Sequence, residues 1–217
     1  SGYYVMSEPK KYVLDQQIWK TFVHTYKISD KQQKQCKQFI DLLLQENKKY
    51  NLTAITSINH VILDHLYDAL AISKSHDMEK YSSIGDVGTG GGFPGIPLAI
   101  LYPEKQFHLI ETNQKKIAFL ELVAEKIGLK NITTHNIDWR TFLRSQDLEI
   151  DLFVARASLT VKELLRIYKP SSFYKNADLI YWGSQHWTPE KGEEAFVKDN
   201  HTYFVGTKKR LLVTFRP

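Results

Sequence analysis

Cysteine is almost missing from this chain: Cys36 stands alone among 217 residues. A single thiol excludes an intramolecular disulfide and a cysteine-rich zinc site, so the fold must be held by an ordinary core. Long apolar runs are also lacking. The longest mainly apolar stretch, 93–102, is well short of the roughly 20 residues that cross a bilayer, and the N-terminal residues carry no apolar signal-peptide core. No internal repeat is visible, and neither a Ser-His-Asp set, a metal-spaced histidine pair nor a carboxylate dyad can be picked out. These absences lead us to expect a soluble cytoplasmic protein in a reducing compartment, with no metal and no membrane contact.

What is present is an ordinary globular composition, 42% hydrophobic and 24% charged. At this length one core can bury roughly 70% of the surface that the unfolded chain exposes. The net charge is +5 and is unevenly placed. Lys and Arg outnumber Asp and Glu by 11 to 9 over 1–80 and by 11 to 7 over 151–217, whereas 81–150 carries 7 against 8. A modest basic excess at both ends suits an anionic partner without identifying it.

Residues 1–80 read as a helical segment. From Ser29 to Tyr50 the apolar residues Cys36, Phe39, Ile40, Leu43 and Leu44 recur at helical spacing behind a Ser29/Gln32 capping box. A second helix is expected over 59–74, burying Ile62, Leu66, Ala69 and Leu70. From residue 81 to 217 short apolar runs alternate with helical patterns. Strands are expected at 83–87, 106–111, 132–135, 152–155 and 179–182, and the clearest helix at 113–127 is closed by Gly128. Thr160 and Glu163 open another helix that Pro170 ends. The alternation predicts a mainly parallel sheet with helices on both faces. Residues 203–205 and 211–215 around Gly206 to Arg210 predict an antiparallel hairpin.

The sharpest motif is Asp86-Val87-Gly88-Thr89-Gly90-Gly91-Gly92-Phe93-Pro94-Gly95, placed between the first strand and a helix. Glycines here permit positive φ and a close approach of bare N–H groups to a nucleotide-like ligand. The dinucleotide spacing G-x-G-x-x-G fails because Phe93 occupies the third glycine position, which disfavours a nicotinamide oxidoreductase. Gly88, Gly90 and Gly92 behind Asp86 suit S-adenosylmethionine better. Glu111, at the end of the second strand, is placed to accept from both ribose hydroxyls. Asp138, after the third strand, either meets an adenine amino group, with Ile137 against the ring, or simply caps a helix at Trp139. Arg156 lies at the carboxyl edge, where doubly wound folds hold ligands; its guanidinium suits a carboxylate or a phosphate.

On these residues the chain resembles the bacterial glucose-inhibited division protein B family, which methylates N7 of a guanine in 16S small-subunit ribosomal RNA. The resemblance runs from about Ser29 to the C-terminus. It is carried by DVGTGGGFPGIP at 86–97, and supported by Asn51-Leu52-Thr53-Ala54-Ile55, by the stretches 65–70 and 115–120, by Ala155-Arg156-Ala157 and by Arg210-Leu211-Leu212-Val213. It implies a Rossmann-like class I methyltransferase: a seven-stranded, mostly parallel sheet with an antiparallel C-terminal strand, behind an N-terminal helical segment, the whole forming one compact unit. It also implies S-adenosyl-L-methionine as cofactor, ribosomal RNA or the small ribosomal subunit as partner, and a monomer. Implied cofactor contacts are Gly88, Phe93, Ile137, Asp138 and Arg156, to which the residues themselves add Asp86, Gly90 and Glu111; Arg156 is the candidate catalytic residue. The chain departs from the family in having Glu111 where Asp is usual and Trp182-Gly183 where Lys-Gly is usual. An unprotonated N7 needs no general base, which agrees with the missing acid-base constellation.

Several features keep two readings. His65 and Asp68, at i and i+3, either close over the cofactor or orient their helix. Trp182 and Trp187 either stack a splayed base or fill the core. Lys208-Lys209-Arg210 and Lys48-Lys49 either meet phosphate or form a solvated face. Two functional alternatives also stand: the same fold with another RNA, a small molecule or a protein as acceptor, and a non-catalytic RNA-binding assembly protein.

Overall fold

In the computed structural model of the chain, residues 15–50 and 58–217 are described. The Asn51-Leu52-Thr53-Ala54-Ile55 match and the Lys48 and Lys49 side chains fall outside them. Helix α1 (Gln16–Tyr26) starts where the Asp15 carboxylate accepts from the Gln17 and Ile18 amides, and it buries Trp19, Phe22 and Tyr26. Helix α2 (Asp30–Tyr50) opens on the expected capping box, with the Gln32 amide donating to Ser29 Oγ and the Ser29 amide to Gln32 Oε1. The second expected helix is not regular. Short helical pieces α3 (Ile58–His60), α4 (Tyr67–Leu70) and α5 (Ile72–Ser75) flank a π-helical turn at Val61–Leu66. Such widened turns recur at functional sites, and this one carries His65.

The remainder alternates β1 (Ser83–Val87), α6 (Gly95–Leu101), β2 (Gln106–Ile110), α7 (Gln114–Ile127), β3 (Ile132–His135), α8 (Trp139–Ser145), β4 (Leu152–Arg156), α9 (Val161–Leu164), β5 (Asp178–Ser184), β6 (Val197–Val205) and β7 (Lys208–Phe215). Caps fix the helix ends: Asn113 accepts from the Lys115 and Lys116 amides, and Gly128 closes α7 in the left-handed region at φ 72°. Helix α9 passes into a 3-10 turn, Leu165–Tyr168, before Pro170.

The seven strands form one sheet in the order β3-β2-β1-β4-β5-β7-β6. Strands β1 to β5 pair in parallel, and β7 lies antiparallel to both β5 and β6. This is the expected sheet. Strand β6 is longer than the hairpin pattern predicts: it is an edge strand, and its exposed Lys198, Asp199, Asn200 and His201 hide the apolar alternation. One core layer joins α1, α2 and the 58–75 segment with α6 and α7 on one face of the sheet, through residues such as Phe39, Leu43, Ile84, Leu120 and Trp182. The second layer, on the other face, includes Phe142, Phe153, Leu164 and Phe215. Chain order reverses between β1 and β4, so the crevice at their carboxyl ends is the topological switch point where such sheets bind ligands.

Candidate active site

The Gly88–Gly92 loop stands above that crevice, and its shape follows from three constraints. Gly88, Gly90 and Gly92 all take positive φ, at 68°, 60° and 102°. A Cβ on Gly88 would lie 2.4 Å from Ser158 Cβ, whereas one on Gly90 would meet nothing within 4 Å. Gly88 is therefore wedged between β1 and β4, while Gly90 faces open space. Beneath the loop Asp86 is fully buried, and its Oδ2 accepts from Thr89 Oγ1 at 2.6 Å and from the Gly95 amide at 2.8 Å.

Burial pushes the Asp86 carboxyl up to about 7, the two hydrogen bonds opposing it. The native state then holds a proton that the unfolded chain releases between about pH 4 and 7. The contribution of Asp86 to stability therefore falls as pH rises through that window. In urea unfolding, the stability lost on Asp86→Asn is expected to be larger near pH 5 than near pH 7.5; the opposite trend would contradict the assignment.

A pocket of about 470 Å³ opens over the loop, lined among others by Gly88, Gly90, Phe93, Glu111, Ile137, Asp138 and Arg156. Seven of the eight expected cofactor contacts are thus brought together. Asp86 is not in the lining; its carboxylate shapes the loop from below. Glu111 Oε1 accepts from the Gly90 amide at 3.0 Å and Oε2 from the Asn113 amide at 2.8 Å. A carboxylate has about four acceptor sites, so capacity remains for hydroxyl donors. Asp138 caps α8, accepting from the Thr141 amide and hydroxyl at 2.9 Å each, and these bonds hold its carboxyl below the usual range. The helix-cap reading of Asp138 is correct, and the same residue also faces the pocket.

Arg156, the last residue of β4, is fixed from three sides. Its Nη1 donates to Asp68 Oδ2 at 2.9 Å, its Nη2 meets His65 Nδ1 at 2.6 Å, and its guanidinium carbon lies 5.3 Å from the centre of the Phe93 ring. Arginine only donates, so His65 Nδ1 must accept, placing the ring proton on Nε2. Burial, reinforced by Arg156 and Arg210, pulls His65 down to about 4, so the imidazole is neutral at pH 7. Asp68 is 2% exposed, and its Oδ1 takes Arg210 Nε at 2.9 Å together with the Tyr203 hydroxyl. Arg210 is thereby held above its ordinary value, Asp68 and Tyr203 outweighing the effect of burial. Ala157, next in the chain, adopts φ 52° without being glycine. Such a backbone costs of order 1–3 kcal/mol and clusters at functional sites.

Three sequence expectations change here. Trp182 is not a base platform: it is 2% exposed, and its Nε1 donates to the Asp68 carbonyl at 2.8 Å, behind Arg156. Trp187 is half-buried with its ring against Tyr181 and Phe215. Arg210 turns inward onto Asp68, unlike the exposed Lys208 and Lys209 beside it. His65 lines the pocket and Asp68 does not, so the pair meets at Arg156 and does not close together over the pocket. Leu43, Lys116 and Ser158 also line the pocket; Lys116 falls in the 115–120 stretch, while only their positions in the fold reveal Leu43 and Ser158.

A family model for rRNA small subunit methyltransferase G (GidB) matches residues 32–208. Curated proteins named ribosomal RNA small subunit methyltransferase G are similar over shorter spans. The one from Francisella philomiragia is 47% identical over 109 residues, 50% of this chain and 52% of that protein. The one from Listeria monocytogenes is 34% identical over 145 residues, 66% of this chain and 61% of that protein. The chain thus spans about half to three-fifths of the length of the curated relatives it matches. Among solved structures, a human methyltransferase 10 domain containing protein superposes with TM-score 0.55 at 13% identity, over 67% of this chain and 77% of that one. Ribosomal protein L11 methylase from Lactobacillus delbrueckii subsp. bulgaricus gives TM-score 0.51 at 17% identity, over 71% and 79%. At these identities the structural likeness is one of fold.

Proposed function

Since this chain belongs to the GidB family of rRNA small subunit methyltransferases, we propose that it transfers a methyl group from S-adenosyl-L-methionine to N7 of a guanine in 16S ribosomal RNA. The observation that carries this reading is the convergence of the glycine loop, Glu111 and a clamped Arg156 on one pocket at the switch point. The residues fit a nucleoside cofactor. Gly90 opens toward the pocket where a side chain would intrude, and Glu111 keeps acceptor capacity beside it. A volume of about 470 Å³ suits a ligand of that size.

In this reading the Glu111 oxygens take the two ribose hydroxyls. Ile137 packs on the adenine, and Asp138 accepts from its amino group. Asp86 keeps the loop in shape from below. Arg156 directs its remaining N–H groups at the cofactor carboxylate or at a substrate phosphate, a task for which a fixed guanidinium is preorganised. When bound, the cofactor supplies an electrophilic methyl group. Guanine N7 carries no proton, so the protein has no proton to move; alignment of the two reactants can lower the barrier by roughly 7–11 kcal/mol. Leu43, Phe93 and Ile110 give the pocket apolar walls. Residues 1–80 and 81–217 act here as one compact cytoplasmic unit, a monomer.

Parallel calorimetric titrations with S-adenosylmethionine and with NADH test the pocket, and transfer of labelled methyl from the former to purified small subunits tests the acceptor class. Binding of the first ligand alone and label in the RNA are expected. Preference for NADH, or label found only in protein, would contradict the reading.

A further inference from the structure

The second core layer carries a basic groove that no sequence motif announces. Helix α8, the 3-10 turn at Leu165–Tyr168 and the loop after it enclose about 910 Å³ lined by Arg140, Arg144, Arg166, Lys169, Lys175 and Phe173, among others. Asp147 is the one carboxylate in that lining. Arg140 is engaged by Glu163 through Nη2 at 2.6 Å and Nε at 3.0 Å. Among the described residues the guanidinium of Arg144 bonds only the Thr141 hydroxyl, at 3.2 Å, and Arg166, Lys169 and Lys175 enter no ion pair. Phe173 is one of two large apolar side chains left exposed among the described residues, at 54%.

Cations concentrated in a concave site with little carboxylate to neutralise them raise the local concentration of anions. An exposed aromatic plane beside them adds what a phosphodiester chain with unpaired bases can use, a stacking surface. Groove and pocket lie along the same helix: Asp138 and Trp139 at the start of α8 line the pocket, and Arg140, Leu143 and Arg144 further along line the groove. Helix α8 has seven residues and is about 10 Å long.

We propose that this groove docks the phosphate backbone of the RNA substrate to one side of the target nucleotide. The proposal rests on the reading of the protein as an RNA methyltransferase, and it adds the surface that grips the substrate. Backbone contacts of this kind set register and orientation without reading sequence.

The test is the salt dependence of binding of an end-labelled 16S ribosomal RNA fragment to the full chain, compared with Arg144→Gln/Arg166→Gln/Lys169→Gln. All three side chains are at least partly exposed and none is in the pocket, so thermal stability and S-adenosylhomocysteine binding should be unchanged. The expected result is at least tenfold weaker RNA binding near 0.1 M salt, with the slope of log K against log salt reduced by about 2–3, roughly 0.7–0.9 per lost contact. Phe173→Ala should weaken binding of unpaired RNA several-fold while leaving the slope alone. An unchanged affinity and slope in the triple variant would overturn the proposal even if the wild type methylates RNA. Equal binding of polyglutamate, lost in the same variant, would also overturn it. Loss of RNA binding in the variant, in a protein that transfers no methyl group, would uphold the groove and defeat the methyltransferase reading.

Discussion

Replacing Asp68 with alanine is expected to destabilise the protein by about 3–5 kcal/mol and lower its melting temperature by roughly 6–20 °C. Among the described residues Asp68 is the only carboxylate paired with Arg156 and Arg210, which are themselves only 13% and 24% exposed in their side chains. Removing it leaves two poorly hydrated guanidinium groups without their counter-charge and the Tyr203 hydroxyl without its acceptor, and an uncompensated buried charge costs far more than the intact pair contributes. The change also frees Arg156 in the pocket, so methyl transfer is expected to fall at least tenfold. Asp68→Asn keeps the shape and one acceptor oxygen and should fall between wild type and alanine. Thermal unfolding followed by circular dichroism checks the stability, and kcat measured separately from KM checks whether Arg156 has lost its position. A melting temperature within 2 °C of wild type would remove Asp68 from the centre of the network.

The second large effect is expected at Glu111. Its two oxygens hold the Gly90 and Asn113 amides and, in the proposed complex, two ribose hydroxyls as well. Hydrogen bonds to a charged group contribute about 1.5–3 kcal/mol each. Glu111→Ala should therefore weaken S-adenosylmethionine binding by about 100-fold or more, equivalent to about 3 kcal/mol, because the loop loses its tether along with the ligand's acceptor. Glu111→Asp, the acid usual in the family, shortens the reach by one methylene and should retain affinity within about tenfold. Isothermal titration distinguishes them; an alanine variant binding as tightly as wild type would place the ribose elsewhere.

The parts of this account visible in the sequence are those set by local chemistry. Strands at 83–87 and 132–135 are predicted with the observed bounds, because β-rich apolar runs end at turn residues there. The caps at Ser29, Gly128 and Thr160 each satisfy backbone groups that the sequence pattern identifies. The glycine loop, Glu111, Asp138 and Arg156 meet at one pocket because all four lie at or just past the carboxyl ends of adjacent strands, and strand order alone brings them together.

The parts not visible depend on packing between distant segments. Asp68 reads in the sequence only as the i+3 partner of His65, over the cofactor or orienting its helix, yet it becomes a hub because residues 156, 203 and 210 converge on it from three strands. Trp182 reads equally as platform or core, and only the helical layer above it decides for the core. The groove cations lie scattered between 140 and 175, with Asp147, Glu149, Asp151 and Glu163 among them, so the chain shows no basic run there; folding puts five of them on one surface. The π-helical turn that sets His65 against Arg156 has no signature in the residues that form it.

The central claim is the identity of the acceptor atom. It is tested most directly by incubating the wild-type protein with S-adenosylmethionine and small ribosomal subunits, then cleaving the extracted 16S RNA chemically at N7-methylguanine. The account predicts a single new cleavage at one guanine, absent without the cofactor. Methyl incorporation into that RNA with no cleavage at any guanine would contradict it.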